Sequence, residues 1–249
     1  MQRLDETDRL RLAVQRAVGH VLAPLWIFSA ALVLRFVCGY RIAGLAEARA
    51  CYRALRAGSR SPLLVCANHL TLIDSVLIAW ALGSPAWYLL HFSALPWNTP
   101  ERRNFASSWW SRALVYALKC LPITRRGDRR EITSVLSRVA HLLEQGEVVL
   151  IFPEAGRSRS GRIDVEAAAW GVGRIVGSVP GCQVLCVYLR GQRQSKFSDL
   201  PARGERFRVE LALLEPKSDL KGLRRSMDLS RQIVTKLAEM EQRWLDGQP

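Results

Sequence analysis

The chain is poor in the features that mark special classes of protein. Six Cys in 249 residues are too few for a disulfide-stapled scaffold, and they form no C-x-x-C pair and no Cys/His cluster with zinc spacing. Several sit inside apolar runs, such as Cys66 in LLVCAN and Cys186 in VLCVYL, and read as reduced core residues of a cytosolic protein. Lysine is scarce, with 5 Lys against 31 Arg among the 36 Lys+Arg. Acidic residues are also few, 22 Asp+Glu, so the formal net charge is +14. No apolar run reaches the roughly 20 residues of a membrane span. The longest, residues 21–34, contains Pro24 and is followed by Arg35, so both interrupt it. G-x-S-x-G and G-x-x-x-x-G-K-[ST] are absent, which excludes a nucleophile elbow and a P-loop. The nearest thing to a dinucleotide fingerprint, Gly171-Val172-Gly173 to Gly177, has its third glycine one place late and follows a helical run instead of a strand.

What is present is an ordinary globular composition, 49% hydrophobic and 23% charged, which excludes disorder. The positive charge fits three kinds of anion: nucleic acid, an anionic bilayer or a phosphorylated small molecule. Residues 1–19 are polar and Arg-rich with roughly helical apolar spacing. Residues 21–37 then read as an interfacial or re-entrant helix with cationic flanks, a buried core helix being the alternative.

From about residue 45, helical periodicity alternates with short apolar strands. Helices are expected at 45–55, 71–82, 105–119, 129–145, 165–176 and 220–245. Strands are expected at 63–67, 86–90, 121–124, 147–152, 183–189 and 206–214. This alternation predicts an α/β fold, a central mostly parallel sheet flanked by helices. An N-terminal apolar helical membrane-associating segment, 1–43, precedes the α/β domain, 44–249. Five of the eight Trp (Trp80, Trp87, Trp97, Trp109 and Trp110) lie within about thirty residues, as an interface belt, an acyl pocket or plain core.

Three stretches carry chemistry. Asn68-His69-Leu70-Thr71-Leu72-Ile73-Asp74 follows the 63–67 strand. On one helix His69 and Asp74 would point about 140° apart. They converge if His69 ends the strand, Thr71 caps the next helix and Asp74 lies in its first turn. Asp74 then holds one ring nitrogen and leaves the other as a base. The second stretch, Phe152-Pro153-Glu154-Ala155-Gly156-Arg157-Ser158, follows the strongest strand, where ligands of open α/β sheets bind. Its glycine and arginines suit phosphate. In the third, Leu121-Pro122-Ile123-Thr124 runs into Arg125-Arg126.

N-H-x-x-x-x-D after a strand, an apolar strand ending in Arg, and F-P-E-x-x-R-S after a strand occur here in one order. This resembles the glycerolipid acyltransferase family that contains 1-acylglycerol-3-phosphate acyltransferase, over about residues 60–190. The resemblance implies His69 as general base on an acceptor hydroxyl, Asp74 orienting it, Arg125 on the acceptor phosphate, and Glu154, Gly156, Arg157 and Ser158 shaping the acceptor site. It implies an acyl-CoA or acyl-carrier protein donor and a lysolipid acceptor. No metal or other cofactor is implied, and no nucleic acid. The expected location is the cytoplasmic face of the inner or plasma membrane. Two positions depart from the family pattern. Ala155-Gly156 stands where the family has Gly-Thr, and Val184-Leu185-Cys186-Val187-Tyr188 lacks the proline of the fourth motif. A different acceptor, a hydrolase using water, and a non-catalytic basic membrane binder are the alternative readings.

Overall fold

Leu63–Ala67 (β2) is apolar at all five positions and buried at all five, as a strand covered on both faces must be. Around it a computed structural model describes residues 4–58, 61–105, 108–124, 127–154 and 156–247. On one side of β2 lies Val148–Ile151 (β4) and on the other Gln183–Gly191 (β5), both parallel to it. The six-stranded order is β1-β6-β5-β2-β4-β3, with β1 at Arg41–Ala43, β3 at Trp97–Asn98 and β6 at Arg206–Leu214. The β5–β6 pair alone is antiparallel. The carboxyl ends of β2, β4 and β5 therefore share one edge of the sheet, where an open α/β sheet holds its ligand.

Helices cover both faces. One face is packed by Arg129–Glu144 (α7), Trp170–Ser178 (α8) and Gly222–Asp246 (α9), through residues such as Val139, Ile175, Ile233 and Leu237. Glycine lets α8 approach α9 closely: a Cβ on Gly173 would lie 1.9 Å from the Ser226 carbonyl oxygen, and the Gly173 N–H donates to Ser230 Oγ at 2.8 Å. The glycines of the false dinucleotide fingerprint thus serve helix packing. The other face is packed by Glu6–Leu32 (α1), Leu45–Gly58 (α2), Asp74–Leu82 (α3) and Pro85–Leu90 (α4). Two further helices, Arg102–Phe105 (α5) and Trp109–Ala117 (α6), precede α7.

Several expectations need correction. Residues 86–90 form α4 and not a strand, because Ser84 caps the Trp87 N–H and Pro85 occupies the first turn. Residues 121–124 form no strand: Ile123 makes an isolated bridge to Glu101, as Cys120 just before them does to Asn98, and the edge strand is β3 instead. Helix α3 starts at Asp74 with Ile73 at its cap, so Thr71 lies outside it. Pro24 does not interrupt α1, which continues through a π-turn at Val33–Val37. The buried stripe Leu12, Gln15, Gly19, Ala23 and Ile27 docks α1 onto the domain and compensates for the hydrogen bond that proline cannot donate. The resulting Glu6–Val37 helix is long and apolar enough to cross a membrane by length and composition, with mean hydropathy 2.0 in its most apolar window.

Two buried charges fasten α1 to this body. Lys119 is fully buried and donates to the carbonyls of Phe92 and Leu95 and to Glu147 Oε2 at 2.7 Å. Burial pulls its ammonium down to about 8, against the opposing pull of Glu147. Glu147 also accepts from Trp97 Nε1 at 2.8 Å and from Arg16 Nε of α1 at 2.6 Å.

Candidate active site

At the end of β2 the backbone leaves the sheet, and Asn68 takes over its pairing. Its side chain accepts from the Leu189 N–H at 2.8 Å and donates to the Leu189 carbonyl at 3.0 Å, a one-residue continuation of the β2–β5 ladder. The next residue, His69, is buried, with its ring flat against Phe152 from the end of β4 (centroids 4.0 Å apart, planes at 14°).

Asp74 opens α3 five residues on and turns back to His69. Its Oδ2 lies 3.0 Å from His69 Nδ1 and also accepts the N–H groups of Leu70 and Thr71, at 2.5 and 2.7 Å. Its Oδ1 accepts the Thr71 hydroxyl. Four donors therefore fix one carboxylate. An ionised carboxylate only accepts, so the ring proton belongs on Nδ1 and the lone pair on Nε2. Such a histidine is oriented to take a proton.

The 153–161 turn leaves β4 beside it. The Ser158 N–H donates to the His69 carbonyl at 3.0 Å, so the loop and the His69 backbone are fastened together. Ser158 Oγ donates to the Arg162 carbonyl and closes the loop on itself. Glu154 points inward, and its Oε1 is buried without a hydrogen-bond partner among the described residues. Burial raises its carboxyl to about 7, the charge of Glu241 adds to this, and backbone hydrogen bonding from His69 and Asp164 opposes it. Near neutrality it is a partly protonated acid. Arg157 turns to the neighbouring 197–199 loop, donating to the Ser198 carbonyl at 3.1 Å and Asp199 Oδ1 at 2.7 Å, with its guanidinium 5.5 Å from the Phe197 ring centre. Gly156 is half-buried between Glu154 and Arg157. Arg125 and Ala155 lie outside the described residues. The structure thus brings His69, Asp74, Glu154, Arg157 and Ser158 to one edge of the sheet. Among the described residues no group of three His, Cys, Asp or Glu is placed to hold a metal ion.

Two functional supports escaped sequence reasoning. Arg190, buried near the end of β5, donates to the carbonyls of Gln194, Gly161 and Ser195 at 2.8, 2.7 and 3.0 Å and pairs with Glu241 of α9 at 3.2 Å. Glu241 also accepts the Ile163 N–H at 3.0 Å. Together they clamp the far end of the 153–163 segment. The available signal was an arginine ending a wholly apolar strand, Val184 to Leu189, where a buried charge demands a partner.

A family model described as Acyltransferase matches residues 48–190. A comparison with curated proteins finds no match.

Proposed function

Since the chain belongs to the acyltransferase family, we propose that it moves a fatty acyl group from an acyl thioester, acyl-CoA or acyl-carrier protein, to the hydroxyl of a lysophospholipid such as 1-acylglycerol-3-phosphate. The single observation that carries this reading is the His69–Asp74 pair at the carboxyl end of the central strands, with Nδ1 held and Nε2 unengaged among the described residues. His69 Nε2 takes the hydroxyl proton as the oxygen attacks the thioester carbonyl carbon. The new C–O bond forms and the C–S bond breaks, and the departing thiolate recovers the proton from the imidazolium. Asp74 supplies the counter-charge while the imidazolium exists. The chemistry requires no covalent enzyme intermediate.

The acceptor phosphate would be held by arginine. In addition to Arg125, Arg157 can serve it only by leaving Asp199. Asp199 is mostly exposed, and an exposed ion pair is worth only about 0–1 kcal/mol, so a phosphate competes well. An acceptor without phosphate is the second reading. It is favoured by that existing ion pair and by Ala155-Gly156, which lacks the threonine hydroxyl.

Residues 1–43 act in this reading as the membrane-associating segment on the cytoplasmic face, and 44–249 as the catalytic domain. Support comes from α1, whose inner stripe packs on the domain while most of its apolar window stays uncovered, 22% being buried. A helix held along the domain in this way suits lying in the interface.

Purified protein supplied with acyl-CoA or acyl-carrier protein and 1-acylglycerol-3-phosphate should release free thiol, and His69→Ala should abolish the release. Lipid mass spectrometry of cells with and without the protein identifies the product. If no lysolipid or hydroxylated acceptor gives turnover and His69→Ala leaves cellular lipids unchanged, the reading is wrong.

A further inference from the structure

Helix α6 has only two buried residues, Ser111 and Val115, one turn apart. The helical period therefore puts Trp109, Trp110, Leu114 and Tyr116 towards solvent, and two adjacent tryptophans are left 78% and 60% exposed. A Ser108–Ser111 capping box fixes where the helix starts and so which side chains face out. Single exposed apolar residues are ordinary, but a paired-tryptophan edge is not.

Its surroundings tell what covers it. The end of α6 is bound to α1: Gln15 Nε2 donates to the carbonyls of Tyr116 and Cys120 at 3.1 and 2.9 Å. Gly19 permits the approach, since a Cβ there would stand 3.1 Å from the Ala117 carbonyl oxygen. One residue on, His20 stacks on Phe92 at 4.5 Å and reaches the Leu89 carbonyl, beside Leu90, which is 82% exposed. The exposed edges of α6 and α4 thus flank the same stretch of α1, whose own outer stripe of Val21, Leu25, Leu32 and Phe36 is exposed. Past Asp8, none of α1, the π-turn, α4 or α6 contains an acidic residue, while Arg9, Arg35 and Arg112 are present besides Arg11, paired with Asp8, and Arg16, paired with Glu147. Apolar side chains, tryptophans and cations without acids match the head-group layer of an anionic bilayer.

We infer that α6 is a second membrane contact, which seats Trp109 and Trp110 in the head-group layer of an anionic bilayer alongside α1. This deepens the reading of α1 as the membrane-associated segment and rests on it. A single interfacial helix leaves the domain free to roll about the helix axis. A contact off that axis stops the roll and fixes which way the edge holding His69 faces the lipid.

The test uses the full chain with vesicles of phosphatidylcholine and phosphatidylglycerol, with no acyl substrate present. Emission of the wild type is compared with that of Trp109→Phe/Trp110→Phe, in plain vesicles and in vesicles carrying bromine on the upper acyl chain. The emission contributed by Trp109 and Trp110, taken as the difference between the two proteins, should be quenched by bromolipid. Trp109→Ala/Trp110→Ala/Leu114→Ala should weaken vesicle partitioning by about tenfold or more. An unquenched difference signal overturns the inference while leaving membrane binding through α1 intact. Failure of the wild type to bind vesicles overturns the membrane reading as well. If the triple variant partitions normally but turns a dimer into a monomer in detergent, α6 contacts a second copy of the chain and the inference is wrong.

Discussion

Substituting Asp74 separates two tasks performed by one carboxylate. Asp74→Ala removes the acceptor for the Leu70 and Thr71 N–H groups, the Thr71 hydroxyl and His69 Nδ1, all of them buried. At about 1–3 kcal/mol for each stranded group, the two backbone donors alone destabilise the fold by about 2–6 kcal/mol. For a chain of this size that is a fall in Tm of roughly 5–20 °C. Asp74→Asn keeps an oxygen at the Oδ2 place, where three donors converge, and puts its amide nitrogen beside the Thr71 hydroxyl, which rotates to accept. The fold and the Nδ1–H tautomer survive, and only the counter-charge is lost. Two unit charges about 4 Å apart attract by about 4 kcal/mol at an effective dielectric of about 20. The amide dipole retains part of this, so the expected loss is about 2–4 kcal/mol, or roughly 30- to 1,000-fold in kcat. Thiol release at saturating donor and acceptor measures it, with His69→Ala as the floor and thermal melting as the control. The reasoning is refuted if Asp74→Asn keeps most of the wild-type kcat, or if Asp74→Ala melts with the wild type.

Three other outcomes follow from the geometry. The Glu154 carboxyl is raised from its ordinary 4.5 to about 7, so the folded state holds its proton more tightly than the unfolded one. Its contribution is present in full below about pH 4.5 and lost as pH rises to about 7. Glu154→Gln should therefore melt near the wild type at pH 4.5 and above it at pH 8, by an order of 3 kcal/mol; a gap independent of pH would contradict this. Gly161 has φ +70°, and a Cβ on it would lie 2.4 Å from the Ser195 carbonyl oxygen, so Gly161→Ala should lower stability by about 2–4 kcal/mol and raise the acceptor KM. Urea titration of Lys119→Met should reveal a loss of about 3–5 kcal/mol, because Glu147 stays buried with less compensation, whereas Arg16→Met, at the half-exposed end of the cluster, should lose about 1 kcal/mol or less. Equal losses for those two would refute the ranking.

The core strands were legible because their signal is local. Leu63–Ala67 and Arg206–Leu214 occupy the residues expected of them, and His69 and Asp74 meet because a strand ends just before one and a helix begins at the other. Residues 86–90 misled because an apolar run of that length fits strand and buried helix alike; Ser84-Pro85 was the deciding signal and lies outside the run. The edge strand Trp97–Asn98 is two residues long, too short for any periodicity. At the site, the positions of Glu154, Arg157 and Ser158 followed from the strand before them, but their partners did not. Asp199 reaches Arg157 from 42 residues away, and Glu241 reaches Arg190 from 51. Those pairings are made when loops and helices dock, and no local pattern encodes them.

The Arg190–Glu241 pair also has a consequence for the order in which the site is made. All six strands, His69 and Asp74 leave the ribosome before Glu241. Until α9 emerges and docks, Arg190 lacks the carboxylate that neutralises it, and the 153–163 segment lacks the Ile163 anchor. The nascent chain can thus hold a formed sheet while the far end of this segment still lacks its hold on Glu241. A stop codon before residue 241 would remove the clamp while leaving every residue proposed for the chemistry in the chain.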